Sequence, residues 1–262
     1  MLNSGIPDIL ITNDDGIFAP GLRALIAVMR KMGRVIVVAP DKAMSGTSHA
    51  ITVRNPLRLH LITEEEGYLE YSCNGTPVDC VKLGEQVVLN SKPDLLVSGI
   101  NHGSNASINI VYSGTMAAVL ESAISGIPSI GFSLLDYSHL ADFSACEPVV
   151  RLIAEKVLNN GLPDGVCLNV NIPAVNIHEI RGIKVCRQGR SKWVEEFDTR
   201  TDPHKKDYYW LTGYFNHLEE NEDTDQWALA NNYVSVVPVH FDLTAYYALS
   251  TIQQWNLDAK KG

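Results

Sequence analysis

Nowhere in the 262 residues do about 18 apolar side chains run together, the length needed to cross a bilayer as a helix. The N-terminus lacks a basic segment followed by an apolar core and a cleavage signal, so no export leader is expected. Cysteine is scarce. The five are Cys73, Cys80, Cys146, Cys167 and Cys186, with no CxxC spacing and no accompanying histidine pattern. An odd count in apolar company predicts buried free thiols of a reducing compartment, and excludes a disulfide framework or a zinc site. Positive charge is in deficit, with 21 Lys and Arg against 30 Asp and Glu and a formal net charge of -9. That argues against a nucleic acid polymer or an acidic membrane as partner. It leaves room for a small phosphorylated substrate, because a bound cation inverts the local field. Several signatures are also missing. Without GxGxxG after the first strand a nicotinamide site is not expected, and without GxxxxGK[ST] neither is a P-loop. HExxH and GxSxG are absent too.

What is present is a series of short apolar runs, each ending in a polar loop. Residues 8–12, Asp-Ile-Leu-Ile-Thr, read as a central strand covered on both faces. Residues 20–32 follow as a helix, with Leu22, Leu25, Ile26 and Met29 on one face at spacings of three and four. A second strand at 34–39 completes a βα unit with a right-handed crossover. Extended segments at 51–53, 57–62 and 68–72 lack an intervening helix and predict a hairpin insertion or sheet extension. Thr76 caps the next helix, with Pro77 at its first position, running to about residue 89. Strands at 93–98, 129–134 and 166–170 alternate with helices at 116–125 and 143–158, which predicts a three-layer α/β unit over residues 1–175.

From residue 176 the pattern changes. Extended candidates at 180–188, 192–197 and 207–213 are rich in aromatics and have no helices between them. The acidic stretch 216–225 predicts a flexible loop. A strand in 228–238, a helix at 244–255 capped by Thr244 and a mobile tail at 258–262 close the chain. Residues 176–262 are therefore expected to form a smaller β-rich extension packed on a partner subunit, since Tyr and Trp favour interfaces.

Three strand exits carry oxygen groups: Asp14 and Asp15 after the first strand, Ser45 after the second, and Asn101 after the strand at 93–98. If these strands are neighbours, two carboxylates, a hydroxyl and an amide carbonyl converge. Such hard ligands suit Mg²⁺ or Mn²⁺ and leave positions for water and substrate. Ser113, Gly114 and Thr115 precede a small-residue helix whose first N–H groups could cradle a phosphate. The chemistry would then be metal-assisted hydrolysis of a phosphomonoester. Plainer readings stand beside each element. Asn, Asp and Gly are good turn formers, residues 41–50 could be a solvent loop, and Ser113 or Thr115 could be ordinary caps. His49 could protonate a leaving group, contact phosphate, serve as base to a Ser45 nucleophile, or be a structural histidine. The two adjacent acids lack the one-residue spacing usual for aspartyl-phosphate enzymes.

Taken in order, several segments carry a resemblance. They are Ile11-Thr12-Asn13-Asp14-Asp15-Gly16, Ala39-Pro40 with Ser45-Gly46-Thr47-Ser48-His49, and Ser98-Gly99-Ile100-Asn101-His102-Gly103. Next come Tyr112-Ser113-Gly114-Thr115 and Asn169-Val170-Asn171-Ile172-Pro173. Near the end stand Thr224-Asp225, Val234-Ser235-Val236, Pro238 and Asp242-Leu243-Thr244. Nearly end to end, the chain resembles the stationary-phase survival protein SurE family of metal-dependent 5'/3'-nucleotidases. The resemblance implies a Rossmann-like α/β sandwich with a mostly parallel sheet and a smaller C-terminal extension used in homodimer or homotetramer formation. It implies one Mg²⁺ or Mn²⁺ per subunit on Asp14, Asp15, Ser45 and Asn101, and release of phosphate from nucleoside 5'- and 3'-monophosphates. Asn13, Gly46, His49, Gly103, Ser113, Gly114 and Thr115 would shape the phosphate and water environment. Met116 stands where small residues are common, which bears on substrate preference. The alternatives are a broad exopolyphosphatase, for which Arg54, Arg58, Lys184 and Arg187 are the candidate cations, and a non-catalytic nucleotide sensor.

Overall fold

The computed structural model of the chain describes residues 5–138, 140–255 and 257. The expected mobile tail lies outside them.

The apolar run in β1 (Asp8–Thr12) is buried on both faces: Ile9 and Ile11 belong to one hydrophobic core, Leu10 to the other. That alternation requires a helical layer on each side of the sheet. α1 (Pro20–Met29) supplies one layer, together with α4 (Cys146–Asn160). α2 (Pro77–Leu83) and α3 (Gly114–Ile124) supply the other. Thr76 caps α2 as expected, in a reciprocal box with Asp79. The continuation to residue 89 is a π-helical turn, Gly84–Leu89.

β2 (Arg34–Pro40), β3 (Leu59–Glu65), β4 (Tyr68–Cys73), β5 (Leu95–His102), β6 (Ser129–Leu134) and β7 (Val166–Ile172) join β1 in one sheet. β3 and β4 form the predicted hairpin, and β4 also continues the sheet parallel to β2. Residues 51–53, expected to be extended, form no strand. In the C-terminal third lie β8 (Gly182–Val185), β9 (Ser191–Thr201), β10 (Asp207–His217) and β11 (Tyr233–His240). The full order is β3-β4-β2-β1-β5-β6-β7-β11-β8, with β9 and β10 as a separate antiparallel pair. Six parallel strands, β4-β2-β1-β5-β6-β7, therefore form a Rossmann-like centre.

The chain beyond residue 175 makes no sheet layer of its own, because β11 and β8 extend the main sheet. Only the β9–β10 hairpin stands apart. The stretch 216–225 is not the flexible loop its acidity predicts. Arg187 pairs with Glu219 at 2.8 Å and with Asp223 at 2.7 Å, which ties down two of its acids. Asp225 is buried, and its carboxylate accepts from Ser107 N at 2.7 Å and Gly189 N at 2.8 Å. It opens α5 (Asp225–Ala230), so the segment 228–238 is not one strand but a helix end followed by β11. α6 (Tyr246–Gln253) is capped by Ala245 without a side-chain bond, not by Thr244. All five cysteines are free and buried. No helix among the described residues is long and apolar enough to cross a membrane.

Candidate active site

Chain connectivity runs from β1 to β2 on one side and reaches β5 on the other. The crevice outside the carboxyl ends of β1 and β5 is thus the topological switch point, where open α/β sheets place ligands. Three polar exits meet there. Asp15 Oδ2 accepts from His102 N at 3.2 Å, which ties the β1 exit to the β5 exit. Asp14 O accepts from Met44 N at 2.7 Å, which ties it to the β2 exit. Ser48 binds residues 111 and 112, through Oγ to Val111 O at 2.8 Å and N to Tyr112 O at 3.2 Å. The three strand exits whose adjacency the sequence left conditional are therefore neighbours.

Asp14 is 3% exposed, and its Oδ1 accepts from the Thr115 hydroxyl. Burial pushes its carboxyl up to about 6 against that hydrogen bond, and the Asp15 charge adds to the rise. Burial raises Asp15 as well, opposed by the His102 N–H. Gly114 opens α3 directly against Asp14: a Cβ there would stand 2.9 Å from Asp14 Oδ2. Ser113 Oγ accepts from Met116 N and Ser113 O from Ala117 N, which leaves the N–H groups of Gly114 and Thr115 as helix-start donors without an intrahelical acceptor. The side chains of Ser113 and Thr115 are thus committed within the protein. The start of α3 presents backbone donors beside a buried carboxylate.

A cleft of about 550 Å³ opens over these groups and is lined by Asp14, Ser45, Gly46, Asn101, Gly103 and Ser113, among others. Asp15, Asn13, Gly114 and Thr115 are not among its lining residues. Asn101 donates through Nδ2 to His102 O at 3.1 Å and Gly103 O at 2.8 Å, which leaves its amide oxygen as the free end. Asn13 donates to Gly16 O at 3.0 Å, while its Oδ1 is buried without a hydrogen-bond partner among the described residues. Two carboxylates, an amide oxygen, a hydroxyl and this orphaned acceptor are the donors a hard divalent cation takes. Among the described residues no group of three or more His, Cys, Asp or Glu could hold an ion, so amide and hydroxyl oxygens have to complete the set.

His49 sits elsewhere. Its Nε2 lies 2.9 Å from Glu121 Oε2, in an ion-pair cluster with Lys82, and it does not line the cleft. Met116 is fully buried against Gly131 in the sheet core, so it cannot contact a substrate. Asn105 lines the cleft and is held by Asn171, Ser133 and Asn169, a buried polar ladder under the β5 exit. Asn109, Tyr137, Trp193, Glu195, Leu211 and Thr212 complete much of the wall and carried no sequence signal. The place of the last four depends on how the β9–β10 hairpin lies across the molecule.

The family described as Survival protein SurE matches residues 9–195. The chain belongs to the SurE family. A relative named 5'-nucleotidase SurE in Flavobacterium psychrophilum is 56% identical over 253 residues, covering 96% of this chain and 98% of that protein. Another of the same name in Christiangramia forsetii is 56% identical and covers 98% of this chain and all of its own. The crystal structure of a SurE protein from Aquifex aeolicus superposes with a TM-score of 0.82 at 42% identity, over 95% of this chain and 99% of that one. The SurE match ends at residue 195, so β10, with the wall residues Leu211 and Thr212, lies beyond the matched segment.

Proposed function

We propose that the switch-point cleft of this SurE protein hydrolyses nucleoside 5'-monophosphates, and 3'-monophosphates, to nucleoside and phosphate. The observation that supports it is the convergence of Asp14, Ser45 and Asn101 on one cleft beside the start of α3. The name carried by relatives at 56% identity points the same way.

Asp14, Asp15, Ser45 and Asn101 would hold one Mg²⁺ or Mn²⁺ ion. Bound there, the ion supplies Lewis-acid polarisation of a phosphoryl oxygen. The rest falls to the chain. The N–H groups that start α3 donate to oxygens on which charge develops, and they are fixed before substrate arrives. Gly46, at φ +74 on an exposed turn, lets the 41–50 loop approach substrate with backbone alone. Asp14 is clamped by Thr115 and Met44, which holds the reacting groups in register. One of the two carboxylates orients the attacking water. His49, paired with Glu121, braces the loop carrying Ser45.

The polyphosphatase reading wants positive charge beyond the first phosphate. None of Arg54, Arg58, Lys184 and Arg187 lines the cleft. Lys184 instead lies over the Trp227 ring, and Arg187 is paired twice with acids. The sensor reading differs in turnover alone. Phosphate release from a nucleoside monophosphate, dependent on Mg²⁺ or Mn²⁺ and lost on chelation, separates the two. Asp14→Asn should lower that release by about 10²–10³-fold with the protein still folded. Parent-level release from this variant in the presence of a chelator would refute the proposal.

Residues 176–262 also present an assembly surface in this reading. The hairpin exposes Phe197, Tyr209, Trp210 and Tyr214, and α6 exposes Tyr246 and Tyr247. Exposed aromatics of this density mark an interface, and a homodimer or homotetramer is proposed.

A further inference from the structure

The cleft is larger than the phosphate-handling groups require. Part of its remaining wall is uncharged, with the aromatic rings of Tyr112, Tyr137 and Trp193 beside the aliphatic Leu211. These side chains are not core residues, since Trp193 is 38% exposed, Tyr112 51% and Tyr137 69%. Two of the rings are nonetheless fixed. Trp193 Nε1 donates to Asn109 Oδ1 at 2.8 Å, and the Phe215 ring packs edge-on at 5.3 Å. Tyr137 lies so close over Gly103 that a Cβ there would stand 2.1 Å from its ring, and its hydroxyl accepts from Ser104 N at 3.3 Å. Both rings are therefore pinned to the 103–109 segment that follows Asn101. Among the described residues no Lys or Arg lines the cleft, and Glu195 adds a carboxylate.

Pinned aromatic faces without cations fit a flat, uncharged group with a π face. Stacking accepts any base, because it reads ring area and not hydrogen-bond edges. An extended anionic chain would gain nothing on this wall and would meet Glu195. Resting on the nucleotidase reading above, we propose that Trp193, with Tyr112 and Tyr137, is the platform on which the substrate nucleobase stacks, so that the β9–β10 hairpin sets leaving-group preference. The phosphate is handled by the strand exits and the base by the hairpin side.

The test compares two phosphomonoesters on the full-length protein with Mg²⁺ or Mn²⁺: adenosine 5'-monophosphate and glycerol phosphate, which has no ring to stack. Trp193→Ala should lower kcat/KM for the nucleotide about tenfold more than for glycerol phosphate, mostly through KM, and Trp193→Phe should recover most of the difference. Tyr112→Leu, at a more exposed position, should shift the same ratio and keeps the test open if the tryptophan variant fails to fold. Equal falls for both substrates, or no change in the ratio, overturn the proposal. Calorimetric titration with adenosine, which carries no phosphate, reads the platform without turnover. Binding by the parent and loss in Trp193→Ala supports it, and equal binding overturns it. Should the parent release phosphate from neither ester, the nucleotidase reading fails, while the adenosine titration still decides the platform.

Discussion

Gly114→Ala tests the seat of Asp14 without touching any ionisable group. On backbone grounds the change is mildly favourable, since alanine outranks glycine by about 1 kcal/mol in a helix interior and by less at this first position. The local packing reverses that. The added methyl would stand 2.8 Å from Asp14 Cβ and 2.9 Å from Oδ2, whereas ordinary contact begins at 3.4 Å. The carboxylate would have to retreat by about half an ångström into a close-packed surround. It has little freedom to do so, because Oδ1 is held by Thr115 and the Asp14 carbonyl by Met44 N. Overpacking of this kind costs about 1–3 kcal/mol, partly offset by the helix gain, so the fold survives. Function should suffer more. A misplacement on the order of 1 Å can cost about 10²-fold, so half of that predicts a loss of about tenfold or more in kcat/KM. Steady-state phosphate release, calorimetric Mn²⁺ titration and thermal melting together measure the effect. The expected outcome is weaker cation binding and slower turnover with Tm changed by a few degrees. If kcat/KM and cation affinity both stay within about twofold of the parent, α3 does not position Asp14 as described.

Two further outcomes follow from the ion pairs and the exposed arm. Hydrogen bonding from His49 holds the Glu121 carboxyl below its ordinary 4.5, with Lys82 adding to it against partial burial. A depressed folded value stabilises above the unfolded one and is lost as pH falls through it, so Glu121→Gln should flatten the acid limb of Tm against pH; parallel curves for parent and variant would refute this. Light scattering should show a dimer or tetramer, and replacing Tyr209 and Trp210 by serine should shift it toward smaller species. A parent that is monomeric at every concentration would overturn the assembly proposal.

What was legible in the sequence was local. The Ile9 to Ile11 run announced a strand buried on both faces, and Thr76-Pro77 with Asp79 announced a helix start, because each signal lies within a few residues of what it specifies. The acids at 14 and 15, the Ser45 loop and Asn101 were visible as polar exits from apolar runs. Their meeting followed once the strands proved adjacent. Misreadings arose where partners are distant. The acidic run 216–225 is ordered by Arg187, about 30 positions earlier, and by amides at Ser107 and Gly189 that no local pattern links to Asp225. α5 is six residues long, too short to declare a period before β11 begins. His49 looked like chemistry because it lies four positions from Ser45, yet Glu121, 72 positions away, takes its ring.

The wall of the cleft shows the same contrast in its strongest form. Asp14, Ser45 and Asn101 are set by parallel strands whose register is locked by two helical layers. Trp193, Glu195, Leu211 and Thr212 are set by an antiparallel pair that belongs to no other sheet. Its register brings Gly213 opposite Glu195, and a Cβ at Gly213 would stand 2.2 Å from Val194 O, so a side chain there would push the two strands apart beside the cleft. Trp193 ties the hairpin to the 103–109 segment through Asn109, so β9 and β10 carry one wall of the cleft and the strand exits another. On the proposed reading, substitutions in β9 and β10 should act on KM in a leaving-group-dependent way, and substitutions at residues 13–16 or 113–115 should act on every phosphomonoester alike.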